Sequence, residues 1–134
     1  MVQRRMRRVQ AIVLPLLRAE LPEVLVTSEL PDADLRTYPL LNVRRLGGPS
    51  RLVDGLELAT IEIMAISARG RAESEDLYLD ARQVIWNAVD QQTVTSAGYF
   101  HSFRETVGPT PVSSPFDDTW STQGLIQLGV RPPR

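Results

Sequence analysis

The chain has 134 residues, 43% of them hydrophobic and 23% charged, and a formal net charge of −1. We expect one domain over residues 1–134 that buries its own core without metal or disulfides. The absence of cysteine excludes disulfides, thiolate nucleophiles and cysteine-bound metals. The near-zero charge provides no field to attract DNA or an anionic membrane, and no apolar run approaches the roughly 20 residues of a membrane span.

The first predicted element is a helix over residues 1–21. Pro15 is expected to kink this helix or delay its regular part, and Pro22 to end it. Its arginines are either a patch for phosphate or an acidic partner, or a solvated face without aromatic stacking residues. Arg18 and Glu20 also interrupt the apolar stretch that a signal peptide would need, which indicates a cytoplasmic chain. The apolar stripe of the helix comprises Met6, Val9, Ile12, Val13, Leu16 and Leu17.

A strand, a turn and a β-hairpin are predicted next. Residues 24–30 have the pattern of a short strand, and residues 31–34 that of a turn. A second strand over residues 40–46, followed by Gly47-Gly48-Pro49, predicts a hairpin that leads into the central strand. The flexible tip of this hairpin is predicted to be rich in arginine, whose planar guanidinium can pair bidentately with carboxylates. The tip arginines are Arg44, Arg45 and Arg51.

The centre of the predicted fold is a long buried strand over residues 54–67, followed by a helix over residues 74–90. The strand is rich in leucine, isoleucine and methionine and starts at a turn-forming Asp-Gly pair. Ser74 is the predicted N-cap of the helix, and Glu75 and Asp76 suit the positive end of the helix dipole. One face of the helix is apolar and should pack on the strand. That face comprises Leu77, Ala81, Val84, Ile85 and Ala88.

The opposite side of this helix carries a tryptophan. Leu79 and Trp86 are seven residues apart and lie nearly above each other, with Arg82 and Gln83 beside them. An exposed tryptophan next to leucine, arginine and glutamine is typical of a protein interface. The alternative is that a loop or the first helix covers Trp86 within the same chain.

The last part of the chain is predicted to form two strands joined by a long loop. Residues 99–107 alternate as a strand, and residues 120–130 form the last strand. His101 is interpreted as a structural residue, because the chain has no second histidine or cysteine for a zinc site and no serine and acid in triad spacing. Residues 108–118 are predicted to be a semi-stiff loop because they are polar and interrupted by prolines. This loop carries Phe116, Asp117 and Asp118.

The order helix, strand, hairpin, helix, hairpin predicts an α+β fold with a mostly antiparallel β-sheet and two α-helices packed on one face. No catalytic constellation is recognisable, so we expect no enzyme activity and no metal or organic cofactor. The alternative from a different class is a small ligand-binding or enzymatic module, which would need a pocket with a perturbed acid or base. Its candidate residues are Arg44, Arg45, His101 and Glu105.

Several short runs, spread in order over nearly the whole chain, resemble the tail terminator proteins of long-tailed, siphovirus-type bacteriophages. None of these runs is a chemical signature. The similarity is one of layout, and it includes an aromatic residue that enters a last strand ending in Val-Arg-Pro. The runs are Leu-Leu-Arg-Ala-Glu-Leu-Pro-Glu-Val at 16–24, Pro-Leu-Leu-Asn-Val-Arg-Arg-Leu-Gly-Gly at 39–48, Leu-Val-Asp at 52–54, the acidic-capped helix that follows, and residues 120–132.

This resemblance implies a structural protein of the virion tail or neck that assembles in the host cytoplasm. Proteins of the family form a ring, usually a hexamer, that caps the tail tube, ends its polymerisation and joins it to the head–neck connector. The implied partners are other copies of the chain, the tail tube protein and the head–neck connector protein, with no membrane and no sequence-specific nucleic acid. A head-closure or neck connector protein is the alternative within the same class.

Ring contacts between subunits require two different patches on each copy. We expect the helix side around Trp86 to be one patch, and the arginine tip to dock on a neighbouring subunit or on the tail tube. The acidic 108–118 loop could pair with that tip across subunits. The candidate interface residues are Leu79, Arg82, Gln83, Trp86, Arg44, Arg45, Arg51, Phe116, Asp117 and Asp118.

Overall fold

A computed structural model describes residues 8–47, 52–53 and 56–132. It contains two α-helices, six strands and a short 3₁₀ turn, Ala33–Leu35, that precedes the second strand. The elements in chain order are α1 (Gln10–Glu20), β1 (Leu25–Thr27), β2 (Leu40–Arg45), β3 (Leu52–Val53), β4 (Leu56–Ser67), α2 (Arg71–Asp90), β5 (Tyr99–Val112) and β6 (Trp120–Arg131).

Five strands lie side by side in the order β1-β2-β4-β6-β5, and β3 pairs with the start of β4. β1 and β2 are parallel, whereas all other described pairs are antiparallel. β4 is the central strand, since it pairs with β2 on one side and with β6 on the other. Its residues are buried on both faces: Ile61 and Ile63 belong to the core under the helices, and Ile66 is buried on the other side. The mostly antiparallel sheet predicted from the sequence is confirmed.

Both helices pack on the same face of the sheet, as predicted. α1 contacts β1 and β2, α2 contacts β4, β5 and β6, and the two helices touch each other. The predicted apolar face of α2 forms the core together with alternate residues of the strands, while Val84 is only half-buried. The core side chains with no exposed surface are Ile12, Val13, Leu17, Leu41, Val43, Ile61, Ile63, Ala65, Tyr78, Ala81, Ile85, Ile126 and Leu128.

The helix ends differ in part from the expectations. α1 stops at Glu20, before Pro22, as predicted, and contains Pro15 on its exposed side; Met6 lies outside the described residues. The N-cap prediction for Ser74 is wrong, because α2 begins at Arg71 after Gly70, whose φ of 142° is accessible mainly to glycine. Ser74 is instead buried in the first turn, where its hydroxyl donates to the Ala65 carbonyl (2.8 Å).

Two strand boundaries also differ. β1 is only three residues long and Leu30 is 42% exposed, because the chain must leave the sheet early to return and pair parallel to β2. The predicted loop over residues 108–118 is wrong in its first half, since β5 continues through Pro109 and Pro111 to Val112. β5 is an edge strand, and proline is tolerated there because its missing N–H can face solvent.

Candidate interaction surfaces

The side of α2 around Trp86 is partly covered by β5 and partly open. Trp86 is 46% exposed, and its ring meets that of Phe103 edge to face, with centroids 5.4 Å apart and planes at 78°. Among the described residues, the in-chain cover of Trp86 that was the alternative comes from a strand instead of a loop or α1, and it is incomplete. We call Leu79, Arg82, Gln83, Trp86 and Phe103 the Trp86 surface. Leu79 is half-buried against the core, and Gln83 is exposed and donates to Asn87 Oδ1 (2.8 Å).

A polar network fixes the base of the Trp86 surface. The Tyr78 hydroxyl donates to Glu105 Oε2 (2.9 Å), and Arg82 Nη1 donates to both oxygens of the same carboxylate (3.0 and 3.2 Å). Burial of the fully enclosed Tyr78 ring, with the hydrogen bond to Glu105, raises the pKa of its hydroxyl. No local pattern signals this network, because Tyr78 and Glu105 are 27 residues apart in the sequence.

Gly124 of β6 makes room for Tyr78. A Cβ atom at this position would lie 2.0 Å from the Tyr78 hydroxyl oxygen and 2.4 Å from its Cζ, far inside any normal contact. In the sequence, residues 120–130 have the pattern of an ordinary strand. The glycine is therefore required by the close approach of α2 to the sheet, which the sequence alone does not reveal.

The arginines of β2 do not occupy a hairpin tip. Arg44 and Arg45 are the last residues of the strand itself, and Arg51 lies outside the described residues. Arg44 donates from Nε and Nη2 to the two oxygens of Glu62 on β4 (3.0 and 3.2 Å), and this interaction raises the pKa of Arg44. Arg45 forms an ion pair with Glu57, which also lies on β4 (2.8 Å). The placement at a flexible tip is therefore wrong for both.

Glu62 lies at the centre of a cluster of polar side chains on the sheet face opposite to the helices. Only 3% of the residue is exposed, and Gln123 Nε2 also donates to its carboxylate. Beside it, Thr27 Oγ1 lies 3.0 Å from Asn42 Oδ1. Arg44 keeps 56% of its side chain exposed while it satisfies this carboxylate. Both glutamates of β4, Glu57 and Glu62, thus have arginine partners.

The second half of the predicted acidic loop is a short turn between β5 and β6. The Arg36 guanidinium lies 3.6 Å from the centroid of the Phe116 ring, so Phe116 joins this turn to the segment before β2. Asp117 and Asp118 are exposed and have no ion pair among the described residues. The turn lies at the end of the sheet where β2 begins with Leu40, whereas Arg45 is at the other end of β2.

The outer side of α2 is acidic, a feature not included among the predicted interface residues. Glu75, Asp76, Asp80 and Asp90 are exposed, and no described residue forms an ion pair with them. We call these four residues the acidic ridge. Two arginines of α2 are engaged elsewhere: Arg82 with Glu105, and Arg71 with the Ser121 carbonyl. Within the described part of the chain, the ridge therefore has no cationic partner.

The residues considered for an enzymatic module are not brought together. Glu105 faces α2 on the helix side of the sheet, whereas Arg44 reaches Glu62 on the opposite face. His101 is exposed on edge strand β5, next to a register shift. Within residues 8–47, 52–53 and 56–132, no group of three or more histidine or acidic side chains is placed to hold a metal ion. Neither described helix is long and apolar enough to cross a membrane.

Comparison with known proteins identifies the family of the chain. The sequence model of a family described as phage tail termination protein matches residues 5–134. The Gene 22 protein of Mycobacterium phage L5 is 45% identical over 135 residues, covering 97% of this chain and 96% of that protein. The Gene 22 protein of Mycobacterium phage D29 is 43% identical over 133 residues, covering 96% of each. The chain belongs to the phage tail termination protein family, a family of structural proteins of the bacteriophage tail.

Proposed function

We propose that this tail protein assembles into a ring, a hexamer, that caps the growing tail tube, ends its polymerisation and joins it to the head–neck connector. The observation that carries the proposal is the half-exposed Trp86 beside Phe103. A large aromatic side chain that packs on a neighbouring ring and stays half-exposed is typical of the residues that dominate subunit interfaces. Assembly in the host cytoplasm and incorporation into the virion tail are part of the same proposal.

The edges of the sheet are unsuited to pairing with a strand of another copy, which favours contacts between side-chain surfaces. β1 is three residues long, and Arg18 Nη2 donates to its Val26 carbonyl (2.9 Å). β5 carries Pro109 and Pro111, which lack the N–H that an added strand would need. Copies of the chain are therefore expected to meet through side-chain surfaces. The Trp86 surface is our candidate for one half of that contact.

The two ends of the sheet are candidates for the axial partners. The β5–β6 turn presents Asp117 and Asp118 at one end, and Arg44 and Arg45 close β2 at the other. A ring stacked between a tube and a connector needs two different axial faces, which this arrangement offers. Because Arg44 and Arg45 already have acidic partners, we assign the acidic turn the larger part in axial binding.

Polymerisation of the tail tube in the presence of the protein tests this proposal. Purified tube protein is assembled with and without it, and tube lengths and ends are measured in electron micrographs. We expect short tubes of narrow length distribution with a six-fold ring at one end. Tubes of unchanged length and bare ends would contradict the proposal. Binding to connector particles but not to tube ends would instead indicate a head-closure or neck protein.

A further inference from the structure

We propose that the Trp86 surface and the acidic ridge of one copy bind the arginine-rich segment at residues 4–8 of a second copy. This inference names the partner of the surface and rests on the proposed ring. The segment contains Arg4, Arg5, Arg7 and Arg8, and Arg8 is exposed where the described chain begins. The contact would be head to tail, since the two halves come from different parts of the chain.

Charge is the first argument for this occupant. The acidic ridge has no cationic partner among the described residues, while the arginines of α2 are held by Glu105 and by the Ser121 carbonyl. Four arginines within five residues supply the matching charge. Arginine also stacks on aromatic rings, and Trp86 has 46% of its surface free for such a contact. The segment therefore matches both the acids and the aromatic ring.

The fold of one copy does not explain the positions of the acids. Glu75 suits the first turns of α2, where the helix dipole favours negative charge. Asp80, however, stands one turn after Asp76, so two exposed carboxylates repel each other at i, i+4 spacing. Asp90 is the last residue of the helix, where the dipole disfavours an acid. A cationic partner would relieve both conflicts.

The proposed ring favours a partner copy over the segment of the same chain. The arginine segment precedes α1, whereas the Trp86 surface lies on α2 and β5, so the two halves of the contact belong to different parts of the chain. A contact between two different patches of neighbouring copies is the arrangement that closes into a ring.

Peptide binding tests the contact without requiring a ring. The probe is a synthetic peptide of residues 1–8. The target is the full chain with Arg4, Arg5, Arg7 and Arg8 replaced by glutamine, so that its own segment does not compete. The target also carries Trp120→Phe, so that Trp86 is the fluorescent reporter. We expect saturable quenching that weakens as salt rises, and Glu75→Gln, Asp76→Asn and Asp80→Asn together should weaken it at least about tenfold.

The matched control neutralises three exposed acids elsewhere, with Glu29→Gln, Asp117→Asn and Asp118→Asn, and should leave the affinity unchanged. Circular dichroism establishes that each target is folded before it is used. Absence of saturable quenching, or equal weakening by the control set, would overturn the proposal.

Mixing two full-length variants distinguishes binding between copies from binding within one copy. One variant lacks the four arginines and the other lacks the ridge acids Glu75, Asp76 and Asp80. We expect each alone to be monomeric by light scattering and the mixture to form a one-to-one heterodimer, since one complementary pair remains. A mixture that stays monomeric would contradict the proposal. If the dimer forms but wild-type protein does not cap tubes, the contact holds and the proposed function fails. If the arginine-free variant caps tubes normally, the proposed function holds and the contact fails.

Discussion

The Trp86 surface and the arginines of β2 looked alike in the sequence but differ in the structure. Each was a candidate interface, one on a helix and one on a hairpin. On α2, Trp86 keeps nearly half of its surface free although Phe103 packs against it. On β2, Arg44 and Arg45 are each paired with a glutamate of β4. A free apolar ring can still gain by binding a partner, whereas an arginine with a carboxylate must first give up that interaction.

The difference shows what local patterns can and cannot predict. Helical periodicity places Trp86 away from the core whatever the rest of the chain does. Whether a charged side chain on a strand is free or paired depends instead on which strand lies beside it. Arg44 meets Glu62 from 18 residues away, and only the antiparallel register of β2 and β4 brings them opposite each other. Charged residues on strands therefore need their register before they can be assigned to an interface.

The largest effect is expected at Gly124, which supports the Trp86 surface from below. Gly124→Ala places a Cβ within 2.0 Å of the buried Tyr78 hydroxyl, so α2 must move away from the sheet. We expect a loss of about 3 kcal/mol in the free energy of unfolding, measured by urea denaturation. Gly108→Ala is the control, since its Cβ would meet only Glu105 Oε1 at 3.5 Å and stability should change little. Equal stability of the two variants would contradict the close contact.

Trp86→Ala should separate assembly from folding. We expect self-association or tube capping to weaken by about 2 kcal/mol, since tryptophans at interfaces often contribute that much. The fold should lose less, because the side chain is already 46% exposed in the isolated chain. Analytical ultracentrifugation and thermal denaturation give the two quantities. A variant that assembles normally but melts much lower would identify Trp86 as core. Leu79→Asp is less informative because Leu79 packs against the core.

Tyr78→Phe tests the network beneath the Trp86 surface. At neutral pH we expect a loss of about 1.5 kcal/mol in unfolding free energy, because a hydrogen bond to a carboxylate is removed. Burial raises the pKa of the Tyr78 hydroxyl above the ordinary value of 10.0. The unfolded chain therefore loses this proton first, so the contribution of Tyr78 is complete below pH 10 and is lost as the pH rises further. Urea denaturation from pH 9 to pH 11 should show a smaller decline for the variant than for wild type.

Arg44→Gln with Arg45→Gln should have the smallest effect on assembly. Both side chains act within their own sheet, so we expect tube capping within about twofold of wild type and a modest decrease in the urea midpoint, because Glu62 then keeps only Gln123 as a side-chain donor. Asp117→Asn with Asp118→Asn is the matched pair at the other end of the sheet. Loss of rings in the arginine variant alone would restore the β2 arginines as an interface.

Much of the fold follows from patterns that are local in the sequence. The central strand, the apolar face of α2 and the last strand were predicted because buried residues recur there with a regular period. β5 was missed beyond Val107 because proline normally ends a strand. The strand continues through its prolines because it lies at the edge of the sheet, where a missing N–H is tolerated. Ser74 was misassigned because Gly70 provides the start of α2 without a side-chain cap.

The candidate site was predictable only where one helix carries it. Leu79, Gln83 and Trp86 could be read from helical spacing. Their support by Tyr78, Glu105 and Gly124 involves three elements distant in sequence, and the acidic ridge became visible only once the arginines of α2 were found engaged elsewhere. Sequence similarity over nearly the whole chain identified the family.

The central claim is that copies of this protein meet through the Trp86 surface and form the ring that ends the tail tube. Cryo-electron microscopy of tubes assembled with the protein tests it most directly, because one map shows the number of subunits and the surroundings of Trp86. The account predicts six copies at the tube end, with Trp86 buried between neighbours and Arg44 still paired with Glu62. A capped tube with Trp86 open to solvent, or a tube end without a ring, would contradict it.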